Sequence, residues 1–541
     1  MKVSTKWIKM GILLMISTIL VITGCSPQEE VVDKKSSEST ESGIKKEKVL
    51  KIALAAGATR LDPQFNSGAS DLTISQPIFN GLVRFKPGSV SQEEIEGDLA
   101  ESWESNPEGT EWTFHLRKGV QWHHEYGEFT SADVKWSFER LLDPEVGSRF
   151  QSELNVIESI QAPDPYTVVM QLKYPDSAFL LRILKDGSAG AIVKKEAIEE
   201  SGSDSMIKPI GTGPFMLKEF KQDEKVVLEK NPEYFEGEPK LDRIEYLVMG
   251  DRNAVDVALK KGELHMAVGD VDQLWIQGMI KNADFDIDMV GQNVYWGLFL
   301  NTTMEPFDNI LVRQAIAHAI DMKTYVEEVF GTYSTGQLAS APIGSELFGY
   351  SDRVAYKYNP ELSKELLAKA GYPDGLTLPP QFLSARPNYT QMMTYIQEEL
   401  RKVGITVELQ KVDVPTYLAN IRENLNGLVL YGRAPKPHAA FAMDDFYYGP
   451  SIVGTSTAKL NFSHYNKSDE LIEQSSKEMD NTKAKEMYEQ IQKEIMDDYV
   501  VVPLIETKNI LIRRANVELG YDFEGTLNYF YTINEMTDLK E

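Results

Sequence analysis

The chain has 541 residues, with 56 lysines and arginines against 82 aspartates and glutamates, for a formal charge of −26. That balance argues against a nucleic-acid binder, which needs Lys and Arg to neutralise phosphates, and suits a soluble protein that avoids anionic surfaces. With 42% hydrophobic residues and 10% aromatics it can bury a large core, so it is globular. At ~100–200 residues per domain, it holds roughly three domain-sized units.

The first residues read as a secretory signal. Lys2, Lys6 and Lys9 form a charged start, GILLMISTILVI is an apolar run, and a small-residue site follows in TGC. The run is short for a spanning helix, which needs ~20 apolar residues. Cys25, the sole cysteine of the chain, ends VITGC. Intrachain disulfides are therefore impossible. Residues 26–48 are Ser-, Glu- and Lys-rich and aperiodic, which makes them a flexible tether.

From Val49 the pattern changes. VLKIALAA alternates over a strand length before GATRLDP breaks it, and further strands are expected at TEWTFHLR, YTVVMQLK, KVVLEK, IEYLVMG, VYWGLFLN, ITVELQKV, GLVLYG and YVVVPLIET. Asp133 and Val134 begin a helix that can turn Trp136, Phe138 and Leu141 to a core. GTGPF, with Gly211 and Gly213, is a tight turn into a strand. VRQAIAHAIDMKTYVEEVFG and PELSKELLAKAGYPDG read as helices ending at glycine. In NTKAKEMYEQIQKEIMDD, Ala484, Met487, Tyr488, Ile491 and Ile495 share one helical face. No internal repeat is visible, and the mixture of strands and helices predicts an α/β or α+β protein with more than one lobe.

Catalytic and metal signatures are missing from the sequence. No G-x-S-x-G elbow, P-loop, dinucleotide fingerprint or H-E-x-x-H spacing occurs, so neither an enzyme nor a cofactor is expected. His115 and His318 fall in strand and helix patterns and read as structural. His123 and His124, read as adjacent strand residues, would point to opposite faces and make a poor metal pair.

Several blocks in order carry a family resemblance: DLAESWESNPEGTEWTFHLRKGVQWH…FTSADVKWSFERLLDP, GTGPFMLKEFKQDEKVVLEKNPEYFEGEPKLDRIEYLVMGDRNAVDVALKKGELHMA, PFDNILVRQAIAHAIDMKTYVEEVF, YNPELSKELLAKAGYPDG and NFSHYN…YVVVPLIETKNI. Together they resemble the family 5 extracellular solute-binding proteins, the peptide and nickel receptors of bacterial ABC importers, over residues 49–520. VITGC likewise resembles a lipobox, with Cys25 as the acylated first residue of the mature protein after a signal peptide of residues 1–24. Acyl chains there would anchor the protein to the cell membrane without a span.

The resemblance implies a two-lobed periplasmic-binding-protein-like α/β fold with a hinge between the lobes. Lobe I would comprise residues 49–290 plus 500–541, with an inserted subdomain at about 82–205, and lobe II residues 291–499. Crossing strands would lie near Val294–Asn301 and Tyr499–Ile505. The implied protein is an extracytoplasmic, lipid-anchored monomer that closes on a small solute, foremost an oligopeptide. Its partners would be ABC permease subunits with their ATP-binding subunits.

The stretch YGRAPKPHAAFAMDD, Tyr431–Asp445, leaves the strand GLVLYG where the family's ligand-contacting loop is expected. Tyr431, Gly432, Arg433, Lys436 and His438 are the candidates there. Peptide-binding members commonly place an aspartate about where Lys436 stands, to meet the peptide's amino group. Three consequences stay open. Another acid such as Asp71 or Asp444 meets the amine; or Arg433 binds an anionic ligand through its planar fork; or His438 contacts a metal chelate, the nickel-type alternative. Arg433 could also merely pair with Asp444. The opposite wall is expected at Asn66, Ser67 and Gly68, and Tyr295 with Trp296 would form an apolar floor at the hinge.

Overall fold

The computed structural model describes residues 47–540 apart from 66–67, 149, 187–188, 203–207, 353–355, 435, 456–458 and 528–529. The signal, Cys25 and most of the tether lie outside the described residues, as do Asn66 and Ser67. Glu47–Glu541 is one compact unit. No helix among the described residues is long and apolar enough to cross a membrane.

A nine-stranded mixed sheet organises the molecule. Its strands, numbered here in chain order, are β1 (Val49–Leu54), β2 (Phe215–Lys221), β3 (Lys225–Lys230), β4 (Arg243–Val248), β5 (Met266–Val268), β6 (Phe285–Leu300), β7 (Gly336–Leu338), β8 (Leu428–Arg433) and β9 (Val501–Arg514). The spatial order is β8-β6-β9-β5-β1-β4-β3-β2, with β7 also on β9. Only β1–β4 and β1–β5 run parallel. The alternating residues of β1 explain its place: Leu50, Ile52 and Leu54 are buried with Ile244, Tyr246 and Met266 in one cluster.

The segments expected at the hinge are parts of two much longer strands. β6 and β9 pair antiparallel from Phe285↔Arg514 to Phe299↔Val501. At about 3.3 Å per residue, the 16 residues of β6 span roughly 50 Å, enough to serve two lobes. Near one end of this ribbon β5 joins β9 at Leu511–Arg513; towards the other, β8 joins β6 at Tyr295–Leu300 and β7 joins β9 at Ile505–Thr507. A register shift between Val290 and Val294 separates the two ends.

Away from the large sheet, Ala100–Ser105, Glu111–Leu116, Ile157–Asp164 and Thr167–Leu172 form a separate four-stranded antiparallel sheet. The helix Ser131–Leu142 packs on it. It starts two residues earlier than expected, because the Asp133 carboxylate accepts from Thr130 N (2.9 Å) and fixes the first turn.

Three local expectations need correction. The single helix expected over VRQAIAHAIDMKTYVEEVFG is two, Ile310–Ala319 and Met322–Val329. Ile320 is extended, and Asp321 caps the second helix by accepting from Thr324 N (3.2 Å) and Oγ1 (2.8 Å). ITVELQKV divides into Ile405–Thr406 and Leu409–Val412, which pair with different short strands. His123 and His124 sit in a 3-10 turn with His124 at φ 54, not on a strand. The buried His123 ring instead grips the GTGPF turn: Nδ1 accepts from Gly211 N (3.3 Å), which leaves Nε2 to donate to Gly213 O (2.9 Å). A Cβ at Gly211 would lie 1.9 Å from Ile78 O, so that turn needs glycine.

Candidate functional site

Candidates 136 positions apart in sequence lie side by side on neighbouring strands. β6 and β8 pair Tyr295 with Arg433, Trp296 with Gly432 and Gly297 with Tyr431. Alternation sends Tyr295 and Arg433 to one face and Trp296 and Gly432 to the other. Gly432 is required there, since a Cβ would come within 2.6 Å of the Trp296 ring. Trp296 is held from three sides: Nε1 donates to Thr507 Oγ1 (3.2 Å), Tyr389 meets it edge-on at 5.0 Å, and Gly432 lies beneath. Tyr431 packs its ring on Phe446 and Phe462. On the Tyr295 face, the neighbouring Glu506 of β9 is buried and accepts from Ser345 N (2.9 Å) and Oγ (2.6 Å). Burial, together with Tyr447 and Glu506, holds the Tyr295 phenol well above its ordinary pKa.

Beyond the strand end the loop is built from ion pairs. Arg433 pairs with Asp445, not Asp444, and Asp444 pairs with Lys459. Burial pushes the Asp445 carboxyl above its usual range against the pull of Arg433, as expected for a pair taken largely out of water. Among the described bonds Arg433 uses one guanidinium nitrogen, Nη1, on Asp445. Lys436 pairs with Glu153 of the four-stranded-sheet region, and its ammonium lies 4.8 Å over the Phe441 ring.

His438 is not a ligand contact in this arrangement. It is the N-cap of the helix Ala439–Phe446, with Nδ1 accepting from Ala440 N (3.1 Å). Its ring stacks on Phe348 at 4.6 Å and meets Tyr488 edge-on at 5.7 Å. Only 1% of the residue is exposed, and burial, with Arg182 nearby, lowers its pKa to about 3. With Nδ1 taken as the acceptor for Ala440 N, a neutral ring carries its proton on Nε2 and so presents no lone pair there to a chelate. Among the described residues no group of His, Cys, Asp or Glu is arranged to hold a metal ion.

In the segment expected to form the opposite wall, Gly68 caps the helix Ala69–Ser75. Asp71, considered above as a partner for a ligand amine, is instead the clamp of this loop. Its oxygens accept from Thr59 N (2.7 Å), Thr59 Oγ1 (2.9 Å), Arg60 N (3.2 Å) and Gly68 N (3.3 Å), and 1% of it is exposed. Its charge is spent on shaping the backbone at Gly68 rather than on a solute.

The sequence reading missed Glu153, Asp445, Tyr389 and Thr507. Asp445 is the second acid of the same loop, twelve residues beyond Arg433. Glu153 lies 283 positions from Lys436, and no local pattern ties them.

Comparison with known proteins identifies the family and the fold. The family model "Bacterial extracellular solute-binding proteins, family 5 Middle" matches residues 94–451. The probable D,D-dipeptide-binding periplasmic protein DdpA of Escherichia coli K12 is 27% identical over 504 residues, covering 90% of this chain and 94% of that protein. The solute-binding protein MoaA of A. tumefaciens R10, solved with mannopinic acid, superposes with a TM-score of 0.82 at 34% identity, covering 92% of this chain and all of that one. The protein DppA of Helicobacter pylori, solved with the peptide STSA, gives 0.77 at 27% identity over 91% of this chain and 98% of its own.

Proposed function

Because the chain belongs to the bacterial extracellular solute-binding proteins of family 5, we propose that it is a lipid-anchored receptor that captures short peptides and hands them to its permease. The family itself gives the coarser role. This is a two-lobed solute-binding protein of an ABC importer, extracytoplasmic, taking a peptide or related solute, and a binding receptor rather than an enzyme.

The observation that carries the peptide reading is the register of β6 and β8. It brings Tyr295, Trp296, Tyr431, Gly432 and Arg433 together at the end of β8, and in this reading the half-buried Gly68, its N–H held by Asp71, belongs to a second wall. Walls rich in backbone and aromatic surface suit an extended chain whose side chains vary. In this reading lobe I is 49–290 plus 500–541 and lobe II is 291–499, β6 and β9 are the crossings, and the protein acts as a monomer. Closure is stabilised by the ligand's preference for the closed form. DdpA and the Helicobacter DppA, by their names and bound ligand, are peptide binders.

A second reading, a small anionic solute, is favoured by Arg433, which bonds Asp445 through Nη1 and whose planar fork is the side chain best suited to a carboxylate. The 34% identical MoaA carries mannopinic acid. The nickel-chelate reading loses its residue, since His438 is a helix cap.

Native mass spectrometry of residues 26–541, purified without denaturation, tests the choice. A ladder of added masses that fragment as peptides supports the main reading, and a single non-peptide acid replaces it with the second. For the anchor, Cys25→Ser is expected to release the protein into the medium with its ligand affinity unchanged. Continued membrane retention would sink the lipid-anchor proposal.

A further inference from the structure

The charges around the loop do not belong to one part of the fold. Lys436 leaves the strand end of β8, whereas its partner Glu153 belongs to the short helix Gln151–Leu154 beside the four-stranded sheet. Arg182, from that same region, bonds Asp176 Oδ2 (2.5 Å), reaches Glu153 O (3.4 Å) and lies 5.0 Å over Phe441, the ring that also carries Lys436. With Arg433–Asp445 and Lys459–Asp444, four cations face four carboxylates. Three of these pairs close within one region, and only Lys436–Glu153 joins the two, so Glu153 supplies the counter-charge that the loop lacks for Lys436.

The Glu153 end of this network borders open space. A cavity of about 290 Å³ is lined by Glu153, Arg182, Asp444 and Lys459, while Lys436, bonded to Glu153, is not part of that lining. The Lys436 and Glu153 side chains keep 18% and 24% of their surface exposed. Burial works to raise the Glu153 carboxyl, but Lys436 and then Arg182 and Arg433 hold it below its ordinary range, so it stays charged opposite Lys436.

We infer that Glu153 is a specificity-determining residue. By cancelling the charge of Lys436 it fits the site to solutes without net charge, and its removal would turn the same wall toward solutes carrying one more negative charge. The inference rests on the reading of the Tyr431–Asp445 loop as a ligand wall. A solute carboxylate that approaches Lys436 meets the Glu153 carboxylate beside it, and like charges at this range in a partly dry site repel strongly. An ammonium finds Glu153 already engaged. A neutral segment meets neither cost.

The test uses the full-length protein in mild detergent as wild type, E153Q, K436Q and the double variant. Affinities are measured by calorimetry for trialanine, Ala-Glu-Ala and Ala-Lys-Ala, and for gluconate against its uncharged amide. In E153Q the preference is expected to move toward the acidic member of a set by about tenfold or more, and in K436Q toward the basic or neutral member. The double variant should return to within about threefold of wild type, an outcome that follows from charge cancellation and not from loss of a structural contact. An E153Q ratio within about twofold of wild type overturns the inference and leaves peptide binding standing. If no peptide binds but the gluconate set shows the shifts, the peptide reading falls and the inference holds. Should E153Q not fold, K436Q reads the same ratio, and its failure to move overturns the inference, as does silence of every variant toward both sets.

Discussion

Replacing His438 by alanine separates a helix cap from a ligand contact. The substitution removes the acceptor for Ala440 N, the stack on Phe348 and the edge contact with Tyr488. Loss of an N-cap costs about 1 kcal/mol. Each aromatic contact adds about 0.5–1.5 kcal/mol, so the expected loss is ~2–4 kcal/mol, concentrated in the helix Ala439–Phe446. The measurement is hydrogen exchange of the amides in that helix, with urea unfolding alongside, because a protein with two lobes need not unfold in one step. His438→Asn supplies a good cap without the ring and should recover about 1 kcal/mol. A loss below about 0.5 kcal/mol in His438→Ala would refute the structural role, since no cap or stack of this kind is that weak. So would departure of a bound metal with stability intact.

Acid should expose the same chemistry. Burial lowers the pKa of His123 to about 4 and of His438 to about 3, so the unfolded chain binds protons that the folded chain refuses. The stability from these two rings is therefore complete above their unfolded pKa of ~6.5. Below it, stability falls by up to about 1.4 kcal/mol per pH unit for each ring, until the folded pKa is reached. Urea midpoints at pH 7, 6 and 5 check this; a flat profile contradicts it, and His438→Asn should show a shallower slope than wild type. At the strand end, Gly432→Ala drives a Cβ into the Trp296 indole. An overpacking cost of about 1–3 kcal/mol and a shift in tryptophan emission are expected. An unchanged spectrum and stability would mean that Trp296 is not seated on Gly432.

Some of this protein was determined by short-range sequence alone. The alternation of VLKIALAA, EWTFHL, VVLEK and IEYLV placed strands that the fold contains, because side-chain period and burial are properties of consecutive residues. The face of Ala484, Tyr488, Ile491 and Ile495 is buried for the same reason. Tyr295–Trp296 and Tyr431–Arg433 were each recognisable as strand residues, but only the pairing of β6 with β8 set them against one another. The break at Asp321 shows where periodicity misleads: a capping side chain interrupts a pattern whose apolar spacing continues. What tertiary structure alone decided is the meaning of the charged loop. Local sequence presents Lys436 as an uncompensated cation and His438 as an available imidazole. The fold gives the first a carboxylate from 283 residues away and encloses the second beneath two aromatic rings. A side chain's hydrophobic face is written by its neighbours in the chain, whereas its charge state and availability depend on whatever the rest of the chain brings beside it.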